Sequence, residues 1–277
     1  MFKYRIISFI VLLGVLALIF FGPEPYNTAL FRGLAGVVVG LMIFELGQML
    51  ERLDMTSYKL PAALFGGVFT ICMLYQFWWN PLIFAVAFAL PVLFCGGALL
   101  VSDNFALTLK KVVITVGIFM ISIVTAGGAA MIGNANLSLF AFFVLGTKSG
   151  DTGAYCVGML SNKITKGRNH PIAPRISPKK SVEGTIGGII FAIAVTMVLG
   201  YYGRLVSFSP AVLAILGFAF FWGGFLGDLT ESVMKRGCGI KDSGALLPGM
   251  GGIWDVMDSF IYNGPLFCLI FHLFQLN

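Results

Sequence analysis

From the N-terminus onward, long apolar runs alternate with short polar turns. Nine of the runs reach or approach the roughly 17 to 25 apolar residues that a helix needs to cross the hydrocarbon core of a bilayer. They lie at about 6–21, 30–49, 60–77, 81–101, 112–132, 137–160, 185–203, 209–233 and 259–275. The pattern predicts an all-α polytopic membrane protein with about nine transmembrane helices. The first run follows Lys3 and Arg5, as a signal peptide would. It continues through Phe20 and Phe21 into Pro23 without a small-residue cleavage site, so it reads as a retained helix.

Polar residues are unevenly spread. Residues 1–132 are mostly plain apolar helices joined by short turns. Between 146 and 258 most of the remaining ionisable residues crowd together with Gly, Pro and Ser, which places function in a C-terminal region, 133–277. Lys and Arg collect on the cytoplasmic side of membrane proteins. With the N-terminus cytoplasmic, all but three of the 18 Lys and Arg fall on that side, the exceptions being Arg32, Arg204 and Lys148, which stands inside the sixth run.

Composition strengthens the membrane reading. The chain is 58% hydrophobic and 11% charged, against about a quarter charged in soluble domains. Its 35 glycines suit helices packed backbone to backbone. The excess of 18 basic over 12 acidic residues fits anionic lipid or phosphorylated substrates, and a membrane chain makes nucleic acid the least fitting partner. Cys72, Cys95, Cys156, Cys238 and Cys268 form no Cys-x-x-Cys pair and read as packing residues. His170 and His272 are too few for a histidine metal cluster, so any metal must be held by oxygen ligands.

Charges within membrane segments are costly and mark function by default. Lys148 and Asp151 are three apart, on one helix face, either as a self-neutralising pair or as a polar surface for substrate or metal. The following loop carries Lys163, Lys166, Arg168, Arg175, Lys179 and Lys180. Its end, Ser177-Pro178-Lys179-Lys180-Ser181-Val182-Glu183-Gly184, joins adjacent lysines and hydroxyls to a Gly-rich helix start, which suits a phosphate chain. Further on, Asp228 and Ser232 share a helix face, and Asp255 and Asp258 would do so if helical. Carboxylates without His or Cys partners suit a hard ion such as Mg²⁺, although acids at helix ends also occur simply as solvated caps.

These residues resemble the phosphatidate cytidylyltransferase (CDP-diacylglycerol synthase) family. The resemblance rests on Ser232, Lys235-Arg236, Lys241-Asp242-Ser243-Gly244, Pro248-Gly249-Met250-Gly251-Gly252 and Asp255-Val256-Met257-Asp258, with Asp151-Thr152-Gly153-Ala154-Tyr155 and the Ser177 to Gly184 block upstream. It covers about 146 to 260. Met250 stands where the family usually has His, and Val256 where it usually has Arg. Both replacements lose hydrogen-bonding capacity.

The resemblance implies transfer of cytidylyl from CTP to phosphatidate, giving CDP-diacylglycerol and pyrophosphate for phospholipid synthesis, in a bacterial cytoplasmic membrane with the site facing the cytoplasm. It implies Asp228 and Asp255 as metal ligands, Asp258 and Asp151 as helpers, and Mg²⁺ as the ion, with a second cation and a homodimer left open. Lys179, Lys180, Lys235, Arg236 and Lys241 are the candidates for neutralising the phosphates, and Ser177, Ser181, Ser232 and Asp242 for further substrate contacts. The alternatives are a CTP-dependent kinase of polyprenol or phytol, a non-catalytic homologue, and a membrane transporter.

Overall fold

The computed structural model describes residues 14–75, 81–203, 206, 208–247 and 251–273. Met250, Arg204 and the beginning of the first apolar run lie outside the described residues. The chain divides into two compact units. One takes in Met1–Asn134 and Cys238–Val256, the other Ala135–Gly237 and Met257–Asn277.

In the first unit residues 14–21 are helical, followed by α1 (Tyr26–Glu51), α2 (Lys59–Leu74), α3 (Pro81–Leu100) and α4 (Phe105–Ser122). A π turn at Ile123–Gly127 then leads into α5 (Gly128–Ala135). Val39, Met42, Ile43 and Leu46 are spaced as one helical face and are all buried, which makes them the core stripe of α1. Glycines let α1 and α2 touch. A Cβ on Gly36 would stand 2.7 Å from the Gly67 carbonyl oxygen, and one on Gly67 would stand 2.9 Å from that of Gly36. The loop from Cys238 and the short helix α9 (Ile253–Met257) complete this unit up to Val256.

The second unit is built on α6 (Leu137–Ile164), α7 (Val182–Met197), α8 (Pro210–Gly237) and α10 (Phe260–Leu273). The Asn136 side chain caps α6 by accepting from the Leu139 amide at 3.0 Å. Pro210 opens α8, where a missing N–H costs nothing. Close approach again depends on glycine: a Cβ on Gly188 of α7 would lie 2.9 Å from the Gly150 carbonyl oxygen of α6 and 2.4 Å from the Phe221 ring of α8. Phe142, Phe143, Phe220 and Phe267 pack with ring centroids 5.1 to 6.0 Å apart, tying α6, α8 and α10 together.

The protein is an integral membrane protein of helical architecture, and two features bear on the expected pattern. First, it is not purely helical. Part of the expected basic loop folds as an antiparallel hairpin, β1 (Pro171–Ala173) and β2 (Ser177–Ser181), pairing Pro171 with Ser181 and Ala173 with Ser177. Second, among the described residues four helical stretches are long and apolar enough to span a membrane: Tyr26–Glu51, Phe105–Ala135, Val182–Tyr202 and Pro210–Gly237. The runs at 60–77 and 259–275 form helices of 16 and 14 residues. Helix α6 has the length, at 28 residues, but Lys148, Ser149, Asp151 and Thr152 interrupt its apolar run.

Candidate metal and phosphate site

The C-terminal turns of α8 carry Asp228, Glu231, Ser232 and Lys235. Spacings of three and four residues put these side chains along one side of the helix. The Ser232 hydroxyl donates to Asp228 Oδ1 at 3.3 Å, as their spacing predicts. In the turn before α10, Asp258 faces this row. Oxygens of Asp228, Glu231 and Asp258 all lie within 4.8 Å of one another, an all-oxygen donor set that fits a hard divalent ion. The approach needs Gly227, because a Cβ there would stand 2.1 Å from the carbonyl oxygen of Asp258.

Each of the three acids has its own lysine. Lys180 Nζ lies 2.9 Å from Asp228 Oδ2, Lys148 Nζ 3.1 Å from Asp258 Oδ1, and Lys235 Nζ 2.7 Å from Glu231 Oε2. The Lys235–Glu231 pair is the most buried, with side chains 13% and 2% exposed. Removing one partner of a buried pair typically costs about 3 to 5 kcal/mol, because the charge left behind loses its compensation, so Lys235 and Glu231 depend on each other. Lys180 also donates to the Phe225 carbonyl oxygen at 3.1 Å and sits 4.1 Å from the Phe225 ring centroid.

The adjacent lysines of the hairpin part company because strand side chains alternate in direction. Lys180 turns inward to Asp228, whereas Lys179 is exposed. Ser181 caps α7, its hydroxyl accepting from the Gly184 amide at 3.1 Å, and Ser177 is half-buried on the same strand. The Lys148–Asp151 pair forms at 3.8 Å but is the looser of two. Lys148 also donates to the Ser259 hydroxyl at 2.8 Å, and that hydroxyl lies 2.9 Å from Asp151 Oδ2 and 2.8 Å from Asp258 Oδ1. One serine thus links the lysine to both acids.

Asp255 belongs to the first unit and has different surroundings. Its Oδ2 accepts from the Ser243 amide at 2.9 Å, the Ser243 hydroxyl at 2.9 Å and the Gly252 amide at 2.7 Å. The expected common helical face with Asp258 does not form, because α9 ends at Met257. Arg236, Lys241 and Asp242 are exposed, and Val256 is half-buried.

The sequence pattern left two members of this cluster unmarked. Glu231 was visible as an acid three residues after Asp228 and four before Lys235. Ser259 carried no signal.

A family model described as the Cytidylyltransferase family matches residues 3–274. The phosphatidate cytidylyltransferase of Staphylococcus saprophyticus is 45% identical over 130 residues, 46% of this chain and 46% of that one. The phosphatidate cytidylyltransferase of Mycobacterium bovis is 40% identical over 135 residues, 48% of this chain and 42% of its own. Phosphatidate cytidylyltransferase 4, chloroplastic, of Arabidopsis thaliana is 48% identical over 93 residues, 33% of this chain and 23% of its own. In each case the match spans less than half of the relative's length.

Proposed function

The chain belongs to the cytidylyltransferase family, and from that premise we propose that it transfers the cytidylyl group of CTP to phosphatidate, forming CDP-diacylglycerol and releasing pyrophosphate. The observation that carries this reading is the cluster of three carboxylates, each held by its own lysine, at the end of α8. Such a site suits a reaction in which the obstacle is the meeting of anions.

A phosphate oxygen of phosphatidate attacks the α-phosphorus of CTP, the bond from that phosphorus to the β-phosphate oxygen breaks, and pyrophosphate leaves with the electron pair. The nucleophile is already anionic, so no Ser-His pair and no covalent enzyme intermediate are required. Asp228, Glu231 and Asp258 would hold Mg²⁺, which supplies charge neutralisation at the phosphate oxygens. Asp255 and Asp151 are the further carboxylates of this reading, Asp255 as a metal ligand and Asp151 as a helper. Lys180, Lys179, Lys235, Arg236 and Lys241 neutralise the triphosphate and the lipid phosphate. Ser232 orients Asp228, Ser181 fixes the start of α7 next to the lysines, and Ser177 and Asp242 complete the substrate contacts.

The distribution of Lys and Arg supports nine spans with the N-terminus and the site on the cytoplasmic side of a bacterial cytoplasmic membrane. Cysteines introduced at Lys166 and Lys241 are then labelled only from the cytoplasm. The reaction is tested on detergent-purified protein with phosphatidate, Mg²⁺ and CTP labelled either in cytidine or in the γ-phosphate. Cytidine label on the lipid is expected. Label from the γ-phosphate on a lipid alcohol would identify a kinase instead, and no labelled lipid would identify a non-catalytic homologue.

A further inference from the structure

Lys148 stands within α6, away from either end of the helix, where a charge is costly and calls for a purpose. Its ammonium reaches across 110 residues of chain to Asp258 Oδ1 at 3.1 Å. It also donates to the Ser259 hydroxyl at 2.8 Å and lies 5.3 Å from the Phe260 ring centroid. These three partners are consecutive residues, where the turn enters α10, and they belong with Lys148 to the second unit.

The donors around Asp258 gather on one of its two oxygens. Oδ1 accepts from the Ser259 amide at 2.5 Å and from the Lys148 ammonium at 3.1 Å, while among the described residues no donor reaches Oδ2. The Ser259 hydroxyl has a single proton to give. Its oxygen accepts from Lys148, and Asp258 Oδ1 already takes an amide and an ammonium, so that proton is best placed on the 2.9 Å bond to Asp151 Oδ2. Donation then runs from Lys148 through Ser259 to Asp151, and from Lys148 directly to Asp258. Ser259 is fully buried and the Asp258 side chain is only 13% exposed, so neither can turn to water for a replacement partner.

We propose that Lys148 is a positioning residue which, with Ser259, takes up Oδ1 of Asp258 and leaves Oδ2 as the oxygen offered to a divalent ion. This rests on the cytidylyltransferase reading, in which Asp258 serves the metal. A lysine beside such a carboxylate can act in two opposed senses. If it merely competes with the ion, removing it makes the site more negative and binding tightens. If it holds the carboxylate in place, removing it loosens binding, typically about 10- to 100-fold for a partner standing behind a metal ligand. The contacts favour the second sense, because the ammonium and the Ser259 amide hold the same oxygen of a residue that lies in a turn, with no helical backbone to fix it.

The test uses the purified full chain and its Lys148→Met and Ser259→Ala variants. Mn²⁺ serves as the probe, its binding read by electron paramagnetic resonance with and without CTP. The melting temperature and the Mg²⁺ concentration for half-maximal CDP-lipid formation are measured beside it. Lys148→Met should weaken Mn²⁺ binding about 10-fold or more and raise half-activation by Mg²⁺ by a similar factor. Ser259→Ala removes the acceptor that steadies the ammonium and should shift both in the same direction, which decides the matter should Lys148→Met fail to fold. Unchanged or tighter Mn²⁺ binding in folded Lys148→Met, or in Ser259→Ala where Lys148→Met does not fold, would overturn the inference, as would a parent that binds no Mn²⁺. A parent that forms no CDP-lipid, yet binds Mn²⁺ and loses it on Lys148→Met, sinks the functional reading and leaves the positioning role standing.

Discussion

The carboxylates singled out in the two units are held in different ways. In the second, Asp228, Glu231 and Asp258 are each met by a lysine. In the first, Asp255 and Glu45 are met by backbone amides and a serine hydroxyl. An ammonium on a four-carbon stem can turn from a carboxylate to a phosphate, whereas an amide stays where the backbone puts it. One region is therefore suited to exchanging charge partners during a reaction, the other to holding a loop in one shape. Substitutions in the two should differ in kind as well as in size.

The largest effect is expected from Asp228→Asn, which keeps shape but removes a charge from the donor set. Turnover should fall about 10²-fold or more with the melting temperature close to the parent. Asp255→Ala should also lower the melting temperature, since about 1 to 3 kcal/mol is lost for each buried donor left without an acceptor. Equal thermal stability of the two variants would erase the contrast.

Gly227→Ala tests how much the charged cluster depends on backbone approach. The added methyl meets the Asp258 carbonyl oxygen, so the turn bearing Asp258 must move. A displacement near 1 Å can cost about 10²-fold, and turnover measured at saturating Mg²⁺ should fall accordingly. Turnover that stays at the parent level would show that the cluster tolerates a looser Asp258.

Next in size is the pair of neighbouring lysines. Lys180→Met removes a charged donor, typically about 1.5 to 3 kcal/mol, or roughly 10- to 150-fold in rate. Lys179→Met removes a solvent-screened charge at an exposed position of β2 and should cost less, roughly 0.2 to 1 kcal/mol as for an exposed charge pair, or about 1.5- to 5-fold in rate. Matching losses would mean that the hairpin's alternation does not select the working lysine. The smallest effect is expected at Met250, where Met250→Ala removes no charge and should leave CDP-lipid formation within about 3-fold of the parent.

The helices were legible because apolar length is a direct physical requirement of the bilayer, and Asp228 with Ser232 was legible because helical spacing is fixed. The hairpin was hidden: Ser177 to Ser181 reads as a polar, Pro-containing loop, and only pairing with Pro171–Ala173 makes it a strand. Its alternation then separated Lys179 from Lys180, which sequence treats as equals. Asp255 and Asp258 looked like helical neighbours because nothing in Val256-Met257 announces that the helix stops. Lys148 was seen with its neighbour Asp151, while its closer carboxylate, Asp258, lies 110 residues away and could not be inferred from local pattern.

Glu45 also sets a timetable for synthesis. Ser243 lies 198 residues further along the chain, and Trp254 lies 209 residues further. At about 5 to 20 residues per second, a ribosome needs roughly 10 to 40 seconds to make that interval. Throughout it α1 carries a carboxylate whose hydroxyl and amide donors do not yet exist, and the first unit cannot close until most of the second has emerged. A nascent chain stalled before residue 243 would present a helix with an acid still awaiting these partners.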